Sequence, residues 1–216
     1  MSESVKRPYH APRRAVRAEE TRRRILAAAR EHFLAAGYAG TAVADIARDA
    51  GVAEATVFAA FGSKRGLLLA VIGAAAGGDP APVALIERPE WRAMLADPDP
   101  VSALGRFAAL TGATLARAAP LIAVVRAAAG SEPELAEMLR EGGASRWADC
   151  RTLAAALAAR GQLHTGLSVE TATDILWAYS SAELYELLVG VRGWTAEDYR
   201  EWRHAALVAA LVADPA

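Results

Sequence analysis

Apolar residues along this chain recur at helical spacing, and no segment keeps up the alternation of a strand. Over residues 18–36 the stripe is Ile25 or Leu26, Ala29, Phe33 and Ala36, and Gly37 follows as a natural left-handed C-terminal cap. Val43, Ile46, Ala47 and Ala50 fall at i, i+3, i+4 and i+7, one face of a short second helix with Thr41 expected as its N-cap. Gly51 breaks it. Val57, Ala60 and Phe61 mark the inner side of a third helix over 53–61, closed by Gly62. Ser63 then caps a fourth over 64–76. Two short helices joined by a tight, glycine-containing turn are the helix-turn-helix arrangement.

Residues 77–100 are rich in Gly and Pro and read as a loop with a short helix around 90–96. Longer helices follow. One is expected from Pro100 over 100–118, and a separate short one from Pro120 over 120–129. Ser131, Pro133 and Glu134 read as a capping box opening a helix that stops at Gly161. Ser168 caps the next, expected to continue to about 192. Thr195 and Asp198 cap the last, expected to reach 213. The fold class is therefore all-α, in three parts: a disordered basic arm over 1–17, a helix-turn-helix domain over 18–76, and a larger helical domain over 77–216.

Composition narrows the function. The chain has 216 residues, 54% of them apolar, enough for a sizeable core. The apolar run Leu67–Ile72 is far too short to span a bilayer, and residues 1–17 have no signal-peptide core, so a cytoplasmic protein with no membrane partner is expected. A single cysteine, Cys150, and four scattered histidines leave no metal-ligand spacing, and no cofactor is expected. The net charge of −1 hides an asymmetry: residues 1–66 carry 12 basic and 7 acidic groups, while the remainder carries 12 and 18. A basic first third on an acidic body suits an end that meets a polyanion.

The ordered residues Arg24-Ile25-Leu26-Ala27-Ala28, Gly37-Tyr38, Thr41, Asp45-Ile46-Ala47, Ala50-Gly51-Val52, Thr56-Val57, Phe61, Ser63-Lys64 and Leu67-Leu68 resemble the DNA-binding motif of the tetracycline-repressor (TetR) family. The resemblance covers residues 18–72 without a gap. It implies that the third helix enters the major groove, presenting Glu54, Ala55, Phe58 and Ala59. Thr41, Arg48, Ala53, Thr56 and Lys64, with Arg14 and Arg17 of the arm, complete the implied DNA-binding set. Lys64 opens the fourth helix, where free backbone N–H groups also favour an anion. Two positions depart from the family pattern. Ala53 replaces a hydroxyl cap, and Phe58 replaces a phosphate-contacting tyrosine.

The resemblance also implies a homodimer and a small-molecule sensor. Tyr199, Trp202, Ala206 and Ala209 form one stripe of the last helix and are the candidate dimer interface. Phe107, Thr111, Trp147, Trp177, Ser180 and Glu183 are the candidate pocket for a mostly apolar effector, with Glu183 disfavouring a carboxylate ligand. No nucleophile elbow, phosphate loop or paired carboxylate is present, so an enzyme is not expected. The expected function is a dimeric, ligand-responsive repressor on a palindromic DNA operator. A helical small-molecule carrier or interaction module is the alternative, and it leaves the N-terminal motif unexplained.

Overall fold

The computed structural model describes residues 11–78 and 85–213. Ten α-helices follow one another: α1 (Ala11–Gly40), α2 (Val43–Asp49), α3 (Glu54–Phe61), α4 (Lys64–Gly77), α5 (Pro89–Ala96), α6 (Pro100–Ala128), α7 (Pro133–Ala159), α8 (Val169–Tyr179), α9 (Ala182–Tyr185) and α10 (Ala196–Leu211). A 3-10 turn, Leu85–Glu87, precedes α5, and a π-helical segment, Glu186–Val191, continues α9. Among the described residues there is no strand, only an isolated bridge between Leu163 and Val212.

Several ends differ from the sequence expectation, each for a local reason. Helix α1 starts at Ala11, so residues 11–17 carry helical backbone where a disordered arm was expected. Residues 1–10 of that arm lie outside the described residues. Gly37 kinks α1 with φ +69°, a conformation that side-chain-bearing residues rarely adopt. Thr41 is not the cap of α2; Ala42 holds that position. The Thr41 hydroxyl donates instead to the carbonyls of Gly37 (2.7 Å) and His32 (3.1 Å), which the kink leaves without helical partners. Pro120 does not open a new helix. Helix α6 runs through it, with Leu115, Ala118, Ala119, Leu121 and Val125 buried on both sides, and this packing outweighs one lost N–H bond. The expected capping box at Ser131 is absent: Glu132 is the N-cap of α7, and the Ser131 hydroxyl donates back to Ala128. The caps at Ser63, Ser168 and Thr195 form as expected.

Three apolar clusters hold the chain together. The first gathers Ile25, Phe33, Ile46, Val57 and Leu68 of the N-terminal helices with Leu121 and Val125 of α6 and Leu135 of α7. It therefore crosses the boundary expected at residue 76. The second surrounds Trp91, Phe107, Leu153 and Leu176. The third joins Leu115 and Ala119 to Ala182, Tyr185 and Tyr199. Helix α6 contributes to all three and packs against α1, α4, α5, α7, α9 and α10.

Each charged side chain of α6 reaches a different neighbour. Arg106 meets Asp97 at 2.9 Å. Arg117 donates to the carbonyls of Ala75 (2.7 Å) and Ala76 (2.9 Å) at the end of α4. Arg126 meets Glu183 (3.2 Å) and Glu186 (2.9 Å).

Two predictions follow from the second cluster. Trp91 is 1% exposed, lies edge-on to Phe107 and donates its ring N–H to Thr152. Trp91→Ala should cost about 3–5 kcal/mol of unfolding free energy in a urea melt. Cys150 is also buried, 3.8 Å from the Ser180 hydroxyl, and burial pushes its thiol pKa up to about 11. Because the thiolate is the reactive form, native protein at pH 8 should resist iodoacetamide, and urea-unfolded protein should be alkylated readily. Comparable rates in the two states would contradict the burial.

Candidate nucleic-acid interface and sensor core

The DNA-facing unit is built from short-range constraints. Val43, Ile46 and Ala47 bury one face of α2, while α3 buries Val57, packs Phe61 partly against the same core and leaves residues 54–56 and 58–60 exposed. Helices α3 and α4 meet at 68°. Gly66 permits that corner, since a Cβ there would overlap the Phe61 carbonyl. The Ser63 hydroxyl accepts the Gly66 N–H at 3.0 Å and fixes the start of α4.

The expected recognition residues Ala53, Glu54, Ala55, Thr56, Phe58 and Ala59 are all exposed, and Phe58 keeps 43% of its surface in solvent. Ala60, expected inward, is exposed as well. Ala53 caps α3 without a side-chain hydrogen bond, the loss anticipated from its missing hydroxyl. Lys64 stands 4.5 Å above the Tyr38 ring, and partial burial lowers its pKa. Tyr38 in turn stacks on Phe33. Arg17 is exposed; the Arg14 side chain lies outside the described residues.

Two members of the set are engaged elsewhere. Thr41 is 3% exposed and spends its hydroxyl on α1, so it braces the motif from inside. Arg48 is exposed but paired with Asp45 (2.7 Å) and Asp49 (3.5 Å). Asp49 also takes a 2.7 Å hydrogen bond from His32, which, more than Arg48, holds its carboxyl below the usual range. Arg48 must therefore exchange partners to reach a phosphate. Two further cations belong to the unit: Arg22 over the Phe61 ring, and Arg24, whose guanidinium lies beside Gly51 in the α2–α3 turn. Arg65 meets Glu134 of α7 at 3.1 Å, a link between distant segments that no local spacing announces.

The expected pocket residues are mostly engaged in contacts within the fold. Phe107 is fully buried, and the Thr111 hydroxyl is spent on the Phe107 carbonyl at 2.6 Å. Trp147 donates to Asp174 (2.8 Å) and Trp177 to the Gly143 carbonyl (3.0 Å), stapling α7 to α8. Ser180 and Glu183 were expected on one helical face. Instead α8 ends at Tyr179, Ser181 is extended, and α9 restarts at Ala182. That break turns Glu183 out to an exposed pair with Arg126. A cleft of about 840 Å³ lies elsewhere, between the kinked end of α1, α6 and the π-helical segment, with Leu34, Tyr38, Pro120, Val124, Tyr185 and Val189 among its walls. None of the six expected residues lines it.

The expected dimer stripe is largely used within the protomer. Tyr199 is fully buried against Tyr185, and its hydroxyl donates to the Tyr179 carbonyl at 3.2 Å. Trp202 lies among Tyr179, Trp194 and Tyr199. Ala206 is half-buried, and only Ala209 is exposed.

What the sequence reading missed is a fully buried arginine. Arg203 is 0% exposed, and half-buried Arg146 reaches the same region from α7. Arg203 lies at i+4 from Tyr199 and i−4 from Leu207, inside an apolar stripe. That phase was the available signal.

Residues 25–71 match the family model for bacterial regulatory proteins of the tetR family. No curated protein matches the sequence. Solved structures share the fold over nearly the whole chain. NalD, the secondary repressor of the MexAB-OprM multidrug efflux pump in Pseudomonas aeruginosa, is 22% identical, with a TM-score of 0.68 over 93% of this chain and 100% of its own. A TetR transcriptional regulator from Chloroflexus aurantiacus is 23% identical, with a TM-score of 0.63 over 92% and 100%. The transcriptional regulator FadR from Bacillus subtilis, solved in complex with stearoyl-CoA, is 19% identical, with a TM-score of 0.66 over 87% and 97%. With the family motif seated on an exposed α3 and the helical body behind it, the N-terminal domain belongs to the TetR family, and the whole chain has the fold of that family's regulators.

Proposed function

We propose that the protein is a cytoplasmic, ligand-responsive transcriptional repressor that binds a palindromic operator as a homodimer and leaves it when a small, mostly apolar molecule binds the sensor. The observation that carries this reading is the outward face of α3, framed by cations and mounted on a core that α6 shares with the sensor. NalD is a repressor, and FadR binds stearoyl-CoA in its structure, which supports assigning the same two tasks here. The domain assignment is a DNA-binding unit over 18–76 and a sensing and dimerising unit over 77–216.

Phosphate contacts fall to Lys64, Arg17 and Thr56, with Arg48 recruited after it releases its carboxylates. Base reading falls to Ala55, Phe58 and Ala59, which meet thymine methyl groups, and to Glu54, which accepts from a cytosine amino group. The dimer face is assigned to α7 and α8, where Ala144, Ala148, Trp177 and Ala178 are exposed together with Leu187 of the π-helical segment. Ligand binding favours the state in which the two heads are too far apart for both half-sites.

The test is a gel-shift on the DNA upstream of the chain's own gene. Saturable binding should weaken steeply with salt, and Lys64→Met should reduce the log–log salt slope by about one unit. Phe58→Tyr restores a hydroxyl at an exposed site and should tighten binding several-fold. Absence of binding at low salt would sink the regulator reading. Light scattering should give a dimer at micromolar concentration, and Ala148→Arg should give a monomer; a monomeric wild type would refute the dimer.

A further inference from the structure

Two guanidinium groups meet in the sensor core with no carboxylate on either, Arg203 fully buried and Arg146 half-buried. Arg203, fully buried on α10, donates to the carbonyl of Ala108 in α6 and, at 3.4 Å, to that of Tyr179, the last residue of α8. Its Nε–H has no partner. Arg146 donates to the Ser180 carbonyl at 2.6 Å and lies over the Trp177 ring. Neither arginine forms a salt bridge among the described residues. The ionisable groups around them are the Cys150 thiol and the Tyr199 phenol, both held neutral at pH 7 by burial, and Glu183, which is taken by Arg126. Asp149, next to Cys150, pairs with neither arginine, and burial raises its pKa.

A guanidinium stays protonated in proteins. Such a charge taken out of water needs an opposite charge or a full set of acceptors. Here the acceptors are neutral backbone carbonyls, and the Nε–H of Arg203 is left over. The carbonyls of Tyr179 and Ser180 are those exposed where α8 breaks, so there the arginines act as a C-terminal cap, while Ala108 belongs to α6. On the α6 side the approach is kept open by Gly112, where a Cβ would come within 3.2 Å of the Arg203 guanidinium. The second and third apolar clusters meet at this point, Cys150 in one and Tyr199 in the other.

We propose that Arg203 and Arg146 form a receptor for the carboxylate of an organic anion with an apolar body, and that this anion displaces the α8 carbonyls from the guanidinium groups. The planar fork of Arg203 suits a carboxylate, and its unpartnered Nε–H is a donor already available. The binding itself does not require DNA; its regulatory consequence rests on the repressor reading. Arg203 holds Ala108 of α6, and about 14 Å farther along the same helix Arg117 holds the end of α4. Withdrawing Arg203 from Ala108 thus acts on the helix that positions the DNA-binding unit.

The experiment uses the full chain without DNA. Decanoate and 2-naphthoate are titrated against their neutral partners, decanol and 2-naphthalenemethanol, by calorimetry and by quenching of tryptophan fluorescence. In at least one pair the carboxylate should bind ten-fold or more tightly than the alcohol. Arg203→Met and Arg146→Met should erase that preference and leave alcohol binding within two-fold. Loss of the preference in Arg146→Met alone suffices for support if Arg203→Met does not fold. No carboxylate preference in either pair with wild type would overturn the proposal. So would a preference that persists in the folded variants, because the arginines would then be helix caps and nothing more. Salt-dependent DNA binding by the same preparation would leave the regulator reading standing in either of those cases.

Discussion

Helix α6 has to be buried along most of its length and still carry three arginines, and the rest of the structure is arranged around that requirement. Its apolar stripe, from Leu104 to Val125, enters all three clusters. Arg106, Arg117 and Arg126 leave the helix at successive levels, toward the α5–α6 turn, the end of α4 and α9 with the π-helical segment. Because the packing continues on either side of Pro120, the helix stays whole and can act as one lever. A rigid element shared by two cores is what a coupling between distant sites needs. The Arg117 clamp on the α4 carbonyls ties α6 to the N-terminal unit, and Arg65 with Glu134 adds a second bridge, between α4 and α7.

The DNA-binding unit shows a division of labour between inside and outside. Thr41 and Gly37 fix the return of the chain after α1, and Gly66 and Ser63 fix the corner between α3 and α4. These contacts leave α3 with Val57 fully buried, Phe61 partly so, and residues 54–56 and 58–60 exposed. The face so presented is mostly small and apolar around Phe58. Such a face offers few groups for hydrogen-bond readout of bases.

The sensor is governed by electrostatics as much as by apolar volume. Had α8 continued through Ser180, Glu183 would have stood inward and repelled an anionic ligand. The break sends Glu183 to Arg126 and leaves Arg203 as the buried charge, with half-buried Arg146 beside it. Tyr199 and Trp202 then have to fill the protomer beside those arginines, which removes them from the outer surface.

The sequence by itself determined what local physics controls. Glycines at 37, 51 and 62 punctuate the first helices as their spacing implied, and the hydroxyl caps at Ser63, Ser168 and Thr195 form because their partners lie three residues away. The all-α class and the exposed α3 face follow from periodicity alone. Tertiary structure decided whatever depends on a partner distant in the chain. It carried α6 through Pro120, since neighbouring helices stabilise both halves. It drew Thr41 inward, where its hydroxyl donates to carbonyls of α1 instead of accepting an N–H at the start of α2. It broke α8 at Ser180, where Arg146 and Arg203, 34 and 23 residues away, take up the freed carbonyls. A helical phase rule assumes an unbroken helix, so the shared face it drew for Ser180 and Glu183 does not survive the break between α8 and α9.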